Sequence, residues 1–248
     1  MKPVSRDTVI VAGLGEVGAP LLNILKTVYH TAGVDISPVD VPGPCSVLHV
    51  CYPFQIPDFI GTTVAYVEKY KPKLVIVNST VGVGTTRAIQ ERIKAPVIYS
   101  PVRGKHAKME QDMLRYQKFV VGATSAATQM AAEHFAGAGF KVATFPTFES
   151  GEVSKLLETT WLGMIVGWAQ EIERMARQCG AEYEHVNAFM KEIDYLPKNV
   201  FPGYIGGHCV MPNIAILRKQ FSSHFLDAIV ESNECKEKEL LVTDSAKR

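Results

Sequence analysis

Several features that would place this chain in a class at once are scarce or missing. Its 248 residues hold five cysteines, at 45, 51, 179, 209 and 235, an odd number without C-x-x-C spacing. That argues against a disulfide scaffold and for a reduced, cytoplasmic setting. Excess charge of one sign is also missing: 26 Lys and Arg face 25 Asp and Glu, a net charge of +1. Nothing in that balance points to nucleic acid as a partner. The most apolar helical stretch, WLGMIVGWA at 161–169, is half the length a membrane span requires. No signal-peptide pattern precedes the first strand. Internal repeats, low-complexity segments and metal-ligand spacings are absent as well. What remains is an ordinary globular composition, 47% hydrophobic, with ample material for a core.

Up to about residue 147 two patterns alternate. Short continuous apolar runs, the mark of strands buried on both faces, lie at 8–13, 33–37, 45–53, 73–80, 95–101, 118–124 and 141–147. Helical patterns fall between several of them, over 14–28, 58–70 and 127–139. Such alternation implies βαβ units, hence an α/β architecture: a Rossmann-like, doubly wound parallel sheet over residues 1–148. Residues 149–248 read as an all-helical domain. From Gly151 to Cys179 there is no proline, and apolar residues recur at spacings of three and four: Val153, Leu157, Trp161, Met164, Trp168, Ile172 and Met175. That predicts one long central helix, ended by Gly180. Residues 161–168 are apolar all round, so burial on more than one side is expected. Shorter helices are predicted over 182–193 and 222–241, with a glycine-rich loop between them and a polar tail (VTDSAKR) after them.

Gly13-Leu14-Gly15-Glu16-Val17-Gly18 follows the first strand and opens a helix. In that context the first glycine makes the turn, the second admits a pyrophosphate to the backbone, and the third packs helix on strand. Asp35 lies at the end of the second strand, where an acid accepts from ribose hydroxyls and repels a 2′-phosphate. The expected cofactor is therefore NAD. The bland alternative is a packing turn that binds nothing, with Asp35 as a strand-end cap. Ser79 and Thr80 end the fourth strand, where ligands of such sheets bind. They either touch the nicotinamide half of the cofactor or cap the helix that follows.

Glycines crowd Cys209 in GYIGGHCVMPN, residues 203–213. A cysteine in such a loop is either an inert small hydrophobe or a nucleophile at the floor of a site. Four stretches taken in order, GLGEVG (13–18), STVGVGTT (79–86), EVSKL (152–156) and PGYIGGHC (202–209), resemble the UDP-glucose/GDP-mannose dehydrogenase family, as does SNE (232–234). The resemblance implies NAD-dependent oxidation of a primary alcohol through a cysteine-bound intermediate. It casts Cys209 as nucleophile and Lys155 as the cation that meets developing oxyanion charge. Gly206, Gly207, His208 and Arg103 become substrate-loop residues, and a nucleotide sugar or another small molecule becomes the substrate. It also implies a homodimer through the long helix, with Gly163 and Gly167 near the contact.

Three positions depart from the family pattern. Thr159 stands for an asparagine, Asn213 for an aspartate, and Val102 for a glutamate, with Arg103 and Lys105 entering the same loop. Thr159 and Asn213 thus occupy catalytic positions with altered chemistry, and thioester hydrolysis is in question. The chain also ends where the family's third, nucleotide-sugar-gripping domain would begin, so a short form is expected. Two alternatives stand beside the main reading. One is an NAD-binding protein without turnover, a sensor or assembly partner; the other is a two-electron hydroxyacid or alcohol dehydrogenase.

Overall fold

A computed structural model describes residues 7–36, 39–41, 43–198 and 200–245. Ser37, the last residue of the predicted second strand, and 246–248 of the polar tail lie outside them. The chain divides into two compact units, Met1–Lys155 and Leu156–Arg248.

The first unit is built on a seven-stranded sheet. Its strands are β1 (Thr8–Ala12), β2 (Thr31–Val34), β3 (Cys45–Val50), β4 (Leu74–Val77), β5 (Val97–Tyr99), β6 (Lys118–Gly122) and β7 (Val142–Thr144). Their order in space is β2-β1-β3-β4-β5-β6-β7. The continuous apolar runs work because both faces are covered. Val9 and Val11 of β1 enter one core with Leu21, Leu25, Ile76 and Phe135. Ile10 and Ala12 enter the other with Leu48, Val75, Val77 and Ile89. The first core is roofed by α1 (Gly18–Leu25), α4 (Met109–Arg115) and α5 (Ser125–Gly137). The second is roofed by α2 (Phe59–Tyr70) and α3 (Thr85–Arg92).

Pairing is parallel from β2 through β5, but β6 runs antiparallel to β5, and β7 is parallel to β6. The wholly parallel sheet expected above therefore reverses at its last two strands. Local patterning leaves strand direction open, because an apolar run buried on both faces reads the same either way along the sheet. The reversal brings Lys118, first residue of β6, to the edge where β4 and β5 end.

The second unit holds most of α6 (Phe148–Gln178), then α7 (Tyr183–Lys191), α8 (Val210–Gln220) and α9 (His224–Ser245). The long helix begins three residues before Gly151, where a Cβ would lie 2.9 Å from the Tyr99 ring. The glycine is there for packing, not as a boundary. Helix α8 occupies part of the stretch expected to be a glycine-rich loop, Pro212 notwithstanding. Proline is tolerated in a first turn, where its N–H would be unpaired anyway, and Ile214, Ile216 and Leu217 behind it are buried. Gly163 and Gly167 need correction. A Cβ at 163 would meet Val210, Ile214 and Ile229, and at 167 it would approach Ile229. Both glycines serve close packing against α8 and α9 of the same chain. Of residues 161–168, Gly163 and Gly167 are buried, while Trp161 is 60% and Trp168 57% exposed. Among the described residues, no helix is long and apolar enough to cross a membrane.

One polar chain runs through the interior of the first unit. Lys118 Nζ donates to Asn78 Oδ1 at 3.1 Å, and Asn78 Nδ2 lies 3.2 Å from His49 Nδ1. His49 Nε2 is 2.9 Å from His134 Nε2. With its Oδ1 occupied as acceptor, Asn78 must donate to His49, which then donates onward from Nε2. Both imidazoles are thus neutral. Burial, then His134 and Lys118, hold His49 well below its ordinary range, and burial brings His134 down to about 4 from 6.5. The unfolded chain takes up these protons below about pH 6.5 and the folded chain does not. Stability should therefore fall as pH drops from about 6.5 toward 4, by about 1.4 kcal/mol per pH unit for each ring. Urea denaturation at pH 6.5 and 5 measures the slope. His134→Phe should reduce it by roughly one proton's worth, and an unchanged slope would refute the assignment.

Candidate functional site

In the sheet, β1 is flanked by β2 on one side and β3 on the other, so the chain changes direction across it. The crevice at the carboxyl ends of β1 and β3 is the place where such folds hold ligands. The glycine loop sits there. Gly13 has φ +89°, and a Cβ on it would lie 2.5 Å from Tyr52 N, just past β3. At Gly18 a Cβ would lie 1.7 Å from Gly13 O. At Gly15 it would meet nothing within 4 Å. Two glycines are thus demanded by the protein itself, while the middle one faces open space. Asp35 closes the loop: its Oδ2 accepts from Leu14 N at 3.1 Å and its Oδ1 from Ile36 N at 3.0 Å. Glu16 pairs with His106 Nδ1 at 3.0 Å, so the β5–α4 connection is tied to the same loop. Val17 is the N-cap residue of α1.

Ser79 is buried, and its hydroxyl donates to Tyr52 O at 2.6 Å, which joins the end of β4 to the end of β3. It does not cap a helix, since α3 starts at Thr85 with Gly84 before it. That N-terminus is served by Glu152, a fully buried residue of α6. Its carboxylate accepts from Gly84 N at 2.7 Å, Thr86 N at 2.8 Å and Thr86 Oγ1 at 2.6 Å. Glu152 is therefore not a cap of its own helix, as its place in the sequence suggests; it caps α3. Burial raises its pKa even against those three donors.

The β5–α4 connection departs from expectation in an informative way. Val102, which stands where the family pattern has glutamate, is buried in the first core. Arg103 lies over the rings of Phe119 and Tyr116 and donates from Nη2 to Gln117 O at 2.6 Å. Lys105 is held through its backbone N, which donates to Asp112 Oδ2.

In the second unit Cys209 is exposed and occupies the N-cap position of α8. Gly207 has φ +80°, a conformation that a side chain disfavours. Asn213 lies one turn further along α8, its N–H on Cys209 O, and it is buried. Its Nδ2 donates to Thr159 Oγ1 at 2.9 Å, and that hydroxyl donates to Leu156 O. The two altered positions have become each other's partners. His208 and Gly206 are exposed. Among the described residues no three His, Cys, Asp or Glu side chains gather as a metal would require.

Two positioning residues escaped the sequence. Asn233 accepts from Ile205 N at 2.7 Å and donates to Ile205 O at 3.1 Å, which pins the glycine loop to α9. Gln170 Nε2 holds Gly203 O at 2.7 Å from α6. The SNE stretch was the available signal, because an asparagine buried in a helix interior needs a partner for both ends of its amide.

Residues 149–235 match the UDP-glucose/GDP-mannose dehydrogenase family, central domain. Among solved structures, this chain is similar to the UDP-D-ManNAc dehydrogenase of Pyrococcus horikoshii, with TM-score 0.79 and 16% identity over 92% of this chain and 68% of that one. The UDP-N-acetyl-mannosamine dehydrogenase Cap5O of Staphylococcus aureus gives TM-score 0.77 and 16% identity over 97% and 70%. A 3-hydroxyisobutyrate dehydrogenase of Mycobacterium tuberculosis gives 0.70 and 13%, over 94% of each chain. At these identities the likeness is one of fold. No curated protein matches the chain.

The glycine geometry makes a sharp prediction. Gly18→Ala should cost about 3 kcal/mol or prevent folding, since backbone must move to admit the methyl group. Gly15→Ala should change the melting temperature by no more than about 2 °C. Thermal denaturation followed by circular dichroism compares them, and equal losses would contradict the open-space reading of Gly15.

Proposed function

We propose that the chain is an NAD-dependent oxidoreductase that acts on a primary alcohol, with Cys209 as its nucleophile. The observation that carries this reading is the glycine loop at the β1/β3 crevice, closed by protein at Gly13 and Gly18 and open at Gly15. The family match of the helical segment supports it. In this reading Gly15, Glu16, Val17 and Gly18 present backbone to the pyrophosphate at the head of α1. Asp35, Ser79 and Thr80 serve the nucleoside and nicotinamide ends. Bound NAD supplies the hydride acceptor. Cys209 adds as thiolate to the carbonyl carbon of an aldehyde, and Lys155 supplies positive charge for the oxygen that becomes anionic. A thiolate at Cys209 stands at the positive end of α8. Gly206, Gly207, His208 and Arg103 shape the substrate side. The setting we assign is the cytoplasm.

A second reading is favoured by a specific contact. Asn213 is an amide bonded to Thr159, and Val102 is sunk in the core, so neither can draw a proton from water. A thioester formed by a second hydride transfer would then not be hydrolysed, so sustained turnover would be confined to one hydride transfer and release of the aldehyde, as in a two-electron dehydrogenase. NADH yield per substrate, across UDP- and GDP-sugars, sugar phosphates and small hydroxy acids, separates these readings. Two NADH per substrate supports the four-electron route and one supports the shorter route. NAD binding without turnover on any of them would sink the enzyme assignment. Cys209→Ala should lower kcat by about a thousandfold or more on the four-electron route. Asn213→Asp should raise release of the acid product if thioester hydrolysis is the slow step.

We also propose a homodimer formed through α6. Leu157, Trp161, Trp168 and Met175 form an exposed apolar stripe on it, and contiguous apolar surface of this kind marks an interface. Trp161→Glu with Trp168→Glu should convert a dimer to a monomer in analytical ultracentrifugation. An unchanged sedimentation coefficient would place the contact elsewhere.

A further inference from the structure

Asp35 stands where the sheet gives it little support. It lies one residue beyond β2, and β2 is an end strand, paired on one side only, with β1. The ladder stops at Val34, whose carbonyl accepts from Gly13 N at 2.9 Å. The Asp35 carboxylate accepts from Leu14 N and Ile36 N, but Ile36 belongs to the same departing segment and is 97% exposed. A carboxylate that must meet a ligand in one position needs its own backbone held by a second layer of contacts. Here that layer is α2. Tyr66 donates from its hydroxyl to Asp35 O at 3.2 Å, and Tyr70, one turn on, donates to Val39 O at 3.1 Å. Two phenols on one face of the helix thus fasten the chain at Asp35 and again at Val39.

The rings that carry these hydroxyls are themselves held in a stack. Tyr66 stacks on Tyr52 at a centroid distance of 5.8 Å and on Tyr70 at 6.1 Å, with the planes within 25°. Tyr52 packs on Phe59 at 5.1 Å and is fixed at both ends. Its hydroxyl lies 2.6 Å from Thr63 Oγ1, which already donates to Phe59 O and so accepts from the phenol. Its carbonyl accepts from Ser79 Oγ at 2.6 Å, and its backbone N is what a side chain at Gly13 would strike. The stack therefore runs from the crevice of the glycine loop, by way of α2, to Asp35. Burial, then Tyr70 and Asp35, raise the Tyr66 phenol above its ordinary value, so it remains a donor at neutral pH. We propose that Tyr66 is a positioning residue for cofactor selection: through the carbonyl of Asp35 it fixes the carboxylate where it accepts from ribose hydroxyls and repels a 2′-phosphate. The inference rests on the NAD reading above and deepens it, because preference for the cofactor without that phosphate then depends on α2 as well as on Asp35. Repulsion between two anions acts only while they are held close; a carboxylate free to swing outward loses most of it to distance and water. Tyr70 has the lesser part, since its partner lies four residues past Asp35.

Calorimetric titration of NAD, and of NADP by its displacement of NAD, tests this in wild type, Tyr66→Phe, Asp35→Asn and the double variant. Tyr66→Phe removes one hydroxyl and keeps a ring in the stack. It should raise the Kd for NAD about threefold or more and that for NADP by less, so the ratio of the two narrows. In the Asp35→Asn background, where the discriminating charge is gone, the same change should leave the ratio unaltered. A merely structural loss would weaken both cofactors alike. Tyr29→Phe, which deletes a phenol that donates to His134 O elsewhere in the first unit, should also leave the ratio unaltered. If Tyr66→Phe fails to fold by circular dichroism, Tyr70→Phe against Tyr29→Phe decides, with a smaller narrowing expected of the first alone. An unchanged ratio in Tyr66→Phe, or the same narrowing with Asp35 and with Asn at that position, overturns the positioning role and leaves the cofactor reading standing. A wild type that binds neither dinucleotide overturns both.

Discussion

The carboxylate of Glu152 holds the start of α6 to the head of α3, and much of the rest follows from that contact. A carboxylate taken wholly out of water is tolerated only if its oxygens are filled, and here three donors from Gly84 and Thr86 fill them. The same contact satisfies amides at the start of α3, which a helix otherwise leaves unpaired. Lys155 stands three residues further along α6, nearly one turn on, so its direction is set by the Glu152 anchor. Gly151 lets the helix lie against Tyr99 at the required distance. Gly151 and Glu152 together thus fix where Lys155 stands on the helix.

Reversal of the last two strands has a similar reach. Were β6 parallel, its first residue would lie at the opposite edge of the sheet, far from Asn78 and Ser100. Running antiparallel, it delivers Lys118 to the carboxyl edge and starts the polar chain through Asn78 and His49 to His134. That chain is oriented throughout, each member donating to the next, and it leaves the imidazoles without protons to spare. The interior of the first unit is accordingly apolar on both faces with one polarised seam. The seam ends in a cation that has no carboxylate among the groups shifting it.

In the second unit, the loop around Cys209 is rigid by attachment rather than by composition. Its glycines permit the path of the backbone, but Asn233 and Gln170 determine it, through Ile205 and Gly203. Cys209 then heads α8, and Asn213 turns inward to Thr159. Substitution at both members of that pair is coherent: an amide and a hydroxyl satisfy each other where a charged group would need a different partner.

Much of this was legible in the residues alone. Seven apolar runs became seven strands, because a run buried on both faces has little else it can be. The glycine loop, its helix and Asp35 could be read from spacing, since Gly13 and Gly18 answer local steric demands, and the length of α6 could be read from its period. What the chain could not disclose were matters settled by distant neighbours. The direction of β6 is fixed by its pairing with β5, which its own apolar run does not specify. Glu152 proved to be the cap of another helix because Gly84 and Thr86 come to it in space. Gly163 and Gly167 face α8 and α9, so the tryptophans on α6 are exposed instead. Local sterics and periodicity are written residue by residue, and the sequence determined them. Which charge meets which, and which face is covered, depend on groups brought together from far along the chain, and only the tertiary structure decided those.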